Sequence, residues 1–158
     1  MDVISGRLIA EGVRLGIAAS RFNDVVVSRL VEGAVDAFIR HGGTEDDIKL
    51  VWVPGSLELP LAARWLIESG CDAVVCLGVI MKGETEHYHY VASECASGIA
   101  KLSLEHGIPV IYGVLTTETL EQALHRAGAK LGNRGYDAAL AAIEMYQLKK
   151  ALNSKSMK

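Results

Sequence analysis

Four short apolar runs, residues 13–20, 48–53, 73–80 and 109–115, recur along this chain, each followed by a helical pattern. The runs are apolar on successive residues rather than on alternate ones, so such strands must be covered on both faces. That constrains the fold more than any other feature. Parallel strands need crossover connections, and helical crossovers cover both faces of a sheet. The pattern therefore predicts an α/β fold: a three-layer αβα sandwich with a four-stranded parallel sheet. The expected helices lie at about 25–41, closed by Gly42-Gly43; 58–69, before Gly70; 86–105, closed by His106-Gly107; a short one at 118–127; and 136–152. A length of 158 residues fits one domain spanning 1–158. Residues 1–12 form an N-terminal arm with Val3-Ile4 and Leu8-Ile9 but no turn to fold them back, so a fifth strand is expected there, on this sheet or added to a neighbouring subunit's. Residues 153–158 read as a frayed polar tail.

Composition narrows the partners. Sixteen Lys and Arg against nineteen Asp and Glu leave a formal net charge of −3, so no general field exists to hold nucleic acid or an anionic membrane. The longest uncharged stretches, 73–81 and 107–117, fall short of the ~18 apolar residues of a membrane span. Cys71, Cys76 and Cys95 are odd in number and form no CxxC pair, and the first residues lack a basic-then-apolar leader profile, which points to the reducing cytoplasm. Half the residues are hydrophobic, although only 6% are aromatic, so either the core is exceptionally well filled or some apolar surface is buried against another subunit.

In an open parallel sheet, ligands bind beyond the carboxyl ends of the strands. The segments there are Ser20-Arg21-Phe22-Asn23, Pro54-Gly55-Ser56-Leu57-Glu58, Gly78 through His87, and Gly113-Val114-Leu115-Thr116-Thr117. Phe22 either staples its loop to the next helix or stacks on a planar ligand. Ser56 is placed to cap the next helix, with Pro60 tolerated in its first turn, and Glu58 is either a solvent carboxylate or a ligand acceptor. Gly83 and the amides of Glu84, Thr85 and Glu86 at a helix start suit a phosphate, with the amides rather than the carboxylates making contact. No Walker loop and no GxGxxG motif is present. His87, within one turn of that site, is a candidate for proton transfer. A His87/His89 metal pair is a poor reading, because residues two apart on a helix face different ways. His41 and His106 precede glycines at helix ends and read as caps. Arg126 and Lys130 share a face if their helix continues, and a surface cation pair is the default reading; Gly128, Gly132 and Gly135 count against continuation, and a bent connection that presents Arg126 to an anion competes with it.

Arg21-Phe22-Asn23, Pro54-Gly55-Ser56-Leu57-Glu58-Leu59-Pro60, Gly83-Glu84-Thr85-Glu86-His87-Tyr88, Gly113-Val114-Leu115-Thr116-Thr117-Glu118, and the stretch from Glu121 through Arg126-Ala127-Gly128 to Gly132-Asn133-Arg134-Gly135 together resemble the 6,7-dimethyl-8-ribityllumazine synthase family. The similarity runs from about residue 12 to 147. It implies a transferase of riboflavin biosynthesis that condenses 5-amino-6-(D-ribitylamino)uracil with 3,4-dihydroxy-2-butanone 4-phosphate, with no metal and no organic cofactor. It further implies that Phe22 stacks on the pyrimidine and that Ser56, Leu57 and Glu58 bind its edge and ribityl chain. Val79, Ile80, Met81 and Tyr112 would complete that pocket. Gly83, Glu84 and Thr85 would hold the phosphate, with Arg126 reaching in from a neighbouring subunit, and His87 would transfer protons. Leu57 stands where an aromatic residue is common, Tyr112 where Phe is, and Lys82 where Arg is. Family members form pentamers, many of them closed into icosahedral shells, and the short 128–135 connection resembles that of the shell formers. A passive flavin-binding module or a shell without catalysis are the competing classes, and neither needs both His87 and Arg126.

Overall fold

The computed structural model describes residues 1–156. Its strands are β1 (Leu15–Ser20), β2 (Ile48–Val53), β3 (Ala73–Met81) and β4 (Val110–Thr117), all parallel, in the order β2-β1-β3-β4. The helices are α1 (Asp24–Arg40), α2 (Leu59–Glu68), α3 (His87–His106), α4 (Leu120–Arg126) and α5 (Arg134–Ser156). Single 3₁₀ turns at Glu45–Asp47 and Ser56–Glu58 precede β2 and α2.

Side-chain alternation along β3 explains the layers. Ala73, Val75, Leu77 and Val79 enter one core with α1, α4 and α5, while Val74, Cys76 and Ile80 enter the other with α2 and α3. Helix α1 supplies Val27, Leu30, Val31, Ala34 and Phe38, a stripe at helical spacing, and each large side chain it buries contributes about 1.5–3 kcal/mol. Helix α3 buries only Cys95, Ile99 and Leu102 over its 20 residues, and Tyr90 and Leu104 stay exposed. Its outer side is thus unusually bare of partners within one chain.

Three segments depart from the expectations or decide between them. The arm takes no part in this chain's sheet; it runs along α5, where Gln147 Nε2 donates to the Ile9 carbonyl at 2.6 Å and Lys155 pairs with Asp2 at 2.9 Å. A side chain at Gly6 would collide with the Glu144 carbonyl, so arm and helix are in close contact. Helix α5 continues through Ser156 instead of fraying from 153, helped by that ion pair and by the Ser154 and Ser156 hydroxyls, which donate to Ala151 and Leu152 carbonyls at 2.9 and 3.0 Å. Residues 157 and 158 of the expected tail lie outside the described residues. Helix α4 ends at Arg126, so Arg126 and Lys130 share no helical face and the bent connection holds. The histidine caps stand as expected, with the Nδ1 atoms of His41 and His106 at 2.6 and 3.1 Å from the Ala37 and Leu102 carbonyls.

All three cysteines are free and buried. Burial pushes the Cys76 thiol far up and the Cys95 thiol to about 11. A thiol whose pKa is higher in the folded chain keeps its proton there while the unfolded chain loses it, so stability is full below the ordinary value of 9.0 and declines as pH rises towards about 11. The native chain is expected to resist a thiol reagent at pH 8 and to react at all three positions once unfolded. Rapid labelling of the native chain would contradict this.

Candidate active site

Beyond the carboxyl ends of β1, β2 and β3 lies a cavity of about 420 Å³ lined by Phe22, Pro54 to Glu58, Val79 to Met81, His87, Tyr88 and Val91. Two of the loops that form it are laced together by the backbone. Arg21 N–H donates to the Val53 carbonyl at 2.8 Å and Phe22 N–H to the Pro54 carbonyl at 3.2 Å, which carries the β1–β2 pairing past the strand ends. The chain then turns sharply at Asn23, a non-glycine residue in the left-handed region (φ 58°, ψ 47°), and enters α1. This turn leaves the Phe22 ring 60% exposed on the cavity wall instead of packed in the core. Of the two roles open to the ring, an exposed wall position suits stacking.

The Pro54–Glu58 loop corrects one expectation. Ser56 does not cap α2: it lies inside the 3₁₀ turn that precedes the helix, with Gly55 in the N-cap position, and the Glu58 carboxylate reaches back to accept from Gly55 N–H at 3.0 Å. Ser56 turns inward, 5% exposed, and its Oγ has no hydrogen-bond partner among the described residues, like Ser20 Oγ and Asn23 Nδ2. Both serine oxygens crowd the bare face of Gly78, where a Cβ would sit 2.8 Å from Ser56 Oγ and 2.9 Å from Ser20 Oγ. A Gly78→Ala variant is therefore expected to displace the Ser56 loop and to cost about 1–3 kcal/mol, as overpacking of a filled site does. Denaturant unfolding checks the stability, and wild-type stability with unaltered ligand affinity would contradict the argument.

His87, the first residue of α3, lines the cavity; its backbone N–H donates to Thr85 Oγ1 at 3.4 Å, and its ring has no hydrogen bond among the described residues. His89 points elsewhere: its Nε2 lies 3.8 Å from Glu86 Oε2 and its ring packs edge-on against Tyr88 at 4.6 Å. Before α3, residues 82–86 are exposed; Lys82 N–H donates to the Thr117 carbonyl at 2.9 Å, and the Lys82 ammonium lies 3.8 Å from the Glu118 carboxylate.

The cavity thus unites Phe22, Ser56, Leu57, Glu58, Val79, Ile80, Met81 and His87. It does not include Gly83, Glu84, Thr85, Tyr112 or Arg126. Tyr112 lies on the edge strand β4, where partial burial raises its phenol pKa, and Arg126 ends α4 with no ion pair among the described residues. Tyr88, Val91 and Ser20 had no assigned role from sequence. Val91 is four residues after His87 and so on the same helical face, a spacing that could have found it, and Ser20 is the polar end of an otherwise apolar strand.

Chemically, apolar side chains that include Leu57, Val79, Ile80, Met81 and Val91, the rings of Phe22 and Tyr88, a carboxylate and an imidazole surround a space suited to a planar polar heterocycle that undergoes proton transfer. No helix among the described residues is long and apolar enough to cross a membrane. The family model described as 6,7-dimethyl-8-ribityllumazine synthase matches residues 12–150, which contain every strand and all of the cavity. The chain belongs to the 6,7-dimethyl-8-ribityllumazine synthase family, transferases of riboflavin biosynthesis.

Proposed function

We propose that the chain condenses 5-amino-6-(D-ribitylamino)uracil with 3,4-dihydroxy-2-butanone 4-phosphate to 6,7-dimethyl-8-ribityllumazine, in the cytoplasm and without a cofactor. The observation that carries this reading is that Phe22, Glu58 and His87, from three separate segments of a family member, face one cavity. The pyrimidine stacks on Phe22 between the Val79, Ile80 and Met81 walls, and its edge and ribityl hydroxyls meet Ser56, Leu57 and Glu58. The Gly83, Glu84 and Thr85 segment beside His87 holds the phosphate.

The 5-amino nitrogen attacks the ketone carbon, and the carbinolamine loses water to form an imine. Loss of the C3 proton then expels phosphate from C4, and the resulting enol shifts to a ketone at C3 with C4 as a methyl group, which supplies the second carbonyl. The ribitylamine nitrogen closes the ring on the second carbonyl, and a further water is lost. His87 takes and returns the protons these steps move.

Arg126 and Tyr112 do not reach the cavity of their own chain, which supports a site completed by a neighbouring copy. The exposed Leu57 and Leu61 beside the cavity mouth, and Tyr90 and Leu104 on α3, support extensive contact between copies. The assembly proposed is a pentamer closed into an icosahedral shell, and its mass by light scattering distinguishes shell, pentamer and monomer.

The purified chain, given both substrates, is expected to produce lumazine fluorescence and release phosphate in equal amounts. Neither signal should arise when either substrate is omitted. Absence of both signals from the assembled protein would overturn the reading.

A further inference from the structure

The connection between α4 and α5 is organised around one side chain. Asn133 Nδ2 donates to the Arg29 carbonyl of α1 at 3.0 Å and to the Ala127 carbonyl at 3.3 Å, while its Oδ1 accepts from Tyr136 N–H at 3.1 Å. One amide therefore ties three elements: the middle of α1, the residue after Arg126, and the first turn of α5. Ala127 and Asn133 also pair as an antiparallel bridge, and Gly128 N–H donates to the Gly132 carbonyl at 2.8 Å, closing the connection into a tight loop. Gly128 and Gly132 hold φ of 105° and 75°, which L side chains rarely adopt. The fit to α1 is close, because a side chain at Gly33 would collide with the Asn133 amide.

Helix α4 has seven residues, too few to be stable without external support. Its start is held by reciprocal bonds: Thr119 Oγ1 accepts from Gln122 N–H at 3.1 Å, and Gln122 Oε1 accepts from Glu118 N–H at 2.9 Å. Its end, which carries Arg126, is held to α1 by Asn133 alone of the side chains hydrogen-bonded there among the described residues. A cation on a long, flexible stem binds an anion well only if its backbone is already placed, since otherwise binding must order the helix end as well.

We infer that Asn133 is a positioning residue for Arg126: through the Ala127 and Arg29 carbonyls it fixes the helix end from which the guanidinium reaches the substrate phosphate. This rests on the phosphate role proposed above for Arg126. The plainer role for Asn133 is to cap α5 through Tyr136 N–H, a task Ser performs equally well. Asn133→Ser keeps that acceptor and removes both donors, so it separates the cap from the tether.

In Asn133→Ser, KM for 3,4-dihydroxy-2-butanone 4-phosphate is expected to rise about tenfold, within what the two lost tethering bonds can supply, with kcat and the other KM near wild type and the melting temperature lowered only modestly. Gly33→Ala, which pushes the amide off α1 without altering it, is expected to act in the same direction and covers the case in which Asn133→Ser folds poorly. Arg126→Ala should raise the same KM further, and adding Asn133→Ser to it should change nothing more. If Arg126→Ala raises this KM while Asn133→Ser and Gly33→Ala leave it unchanged, or shift both KM values alike, the positioning role is overturned and the phosphate role stands. If Arg126→Ala leaves it unchanged, both fall.

Discussion

A His87→Ala variant is expected to turn over about 10²-fold or more slowly than the parent, yet remain measurably active, folded and assembled. The imidazole lines the cavity at the first residue of α3, and none of its side-chain atoms is hydrogen-bonded within the described chain. Its removal therefore deletes no buried contact, and the kinetic loss is not a folding loss. Rate should survive because much of the acceleration in a two-substrate condensation comes from alignment, which the Phe22 ring, the Glu58 loop and the phosphate segment would still provide. Steady-state kinetics beside a melting curve separates the two effects. Unchanged turnover would remove His87 from proton transfer, and complete inactivity in an assembled variant would mean that alignment contributes far less than argued.

The strands and the position of the site at their carboxyl ends were legible because both rest on local facts. A run of apolar residues that stops at Pro54-Gly55 is a strand end whatever surrounds it, and β2 closes at Val53 as that turn dictates. Phe22 was not legible in the same way. Whether its ring packs inward or faces a ligand depends on Asn23 adopting φ 58°, just after Arg21 and Phe22 N–H are tied to carbonyls of the neighbouring loop. Ser56 misled for a related reason. Serine before a helix is a sound cap signal, but the intervening 3₁₀ turn puts Gly55 in the N-cap position and Ser56 inside the turn, with its hydroxyl turned towards Gly78. Asn133 was only one residue of a motif until its three bonds could be seen, because its partners are separated from it by up to 104 positions in sequence. Arg126 and Tyr112 mark a different limit. Periodicity describes one chain, and their absence from its cavity becomes informative only beside a second copy.

Arg126→Ala is expected to raise KM for the phosphate-bearing substrate by about 10- to 100-fold, the range of a lost charge-assisted hydrogen bond, with KM for the ribitylaminouracil unchanged. The sharper test of a shared site combines this variant with His87→Ala in one assembly. In a closed ring of identical interfaces, each site would take His87 from one chain and Arg126 from the next. Co-expressed in equal amounts, the two crippled chains should rebuild a complete site wherever an Arg126→Ala chain supplies His87 and its neighbour supplies Arg126, restoring about a quarter of parental activity at low phosphate substrate. If every site belonged to a single chain, no pairing could repair it, and the mixture would only average its two impaired parents. Simple mixing of separately assembled variants provides the control, since without exchange of chains it creates no new interfaces. Recovery on co-expression but not on mixing would place Arg126 across the interface, and no recovery in either would return it to its own chain.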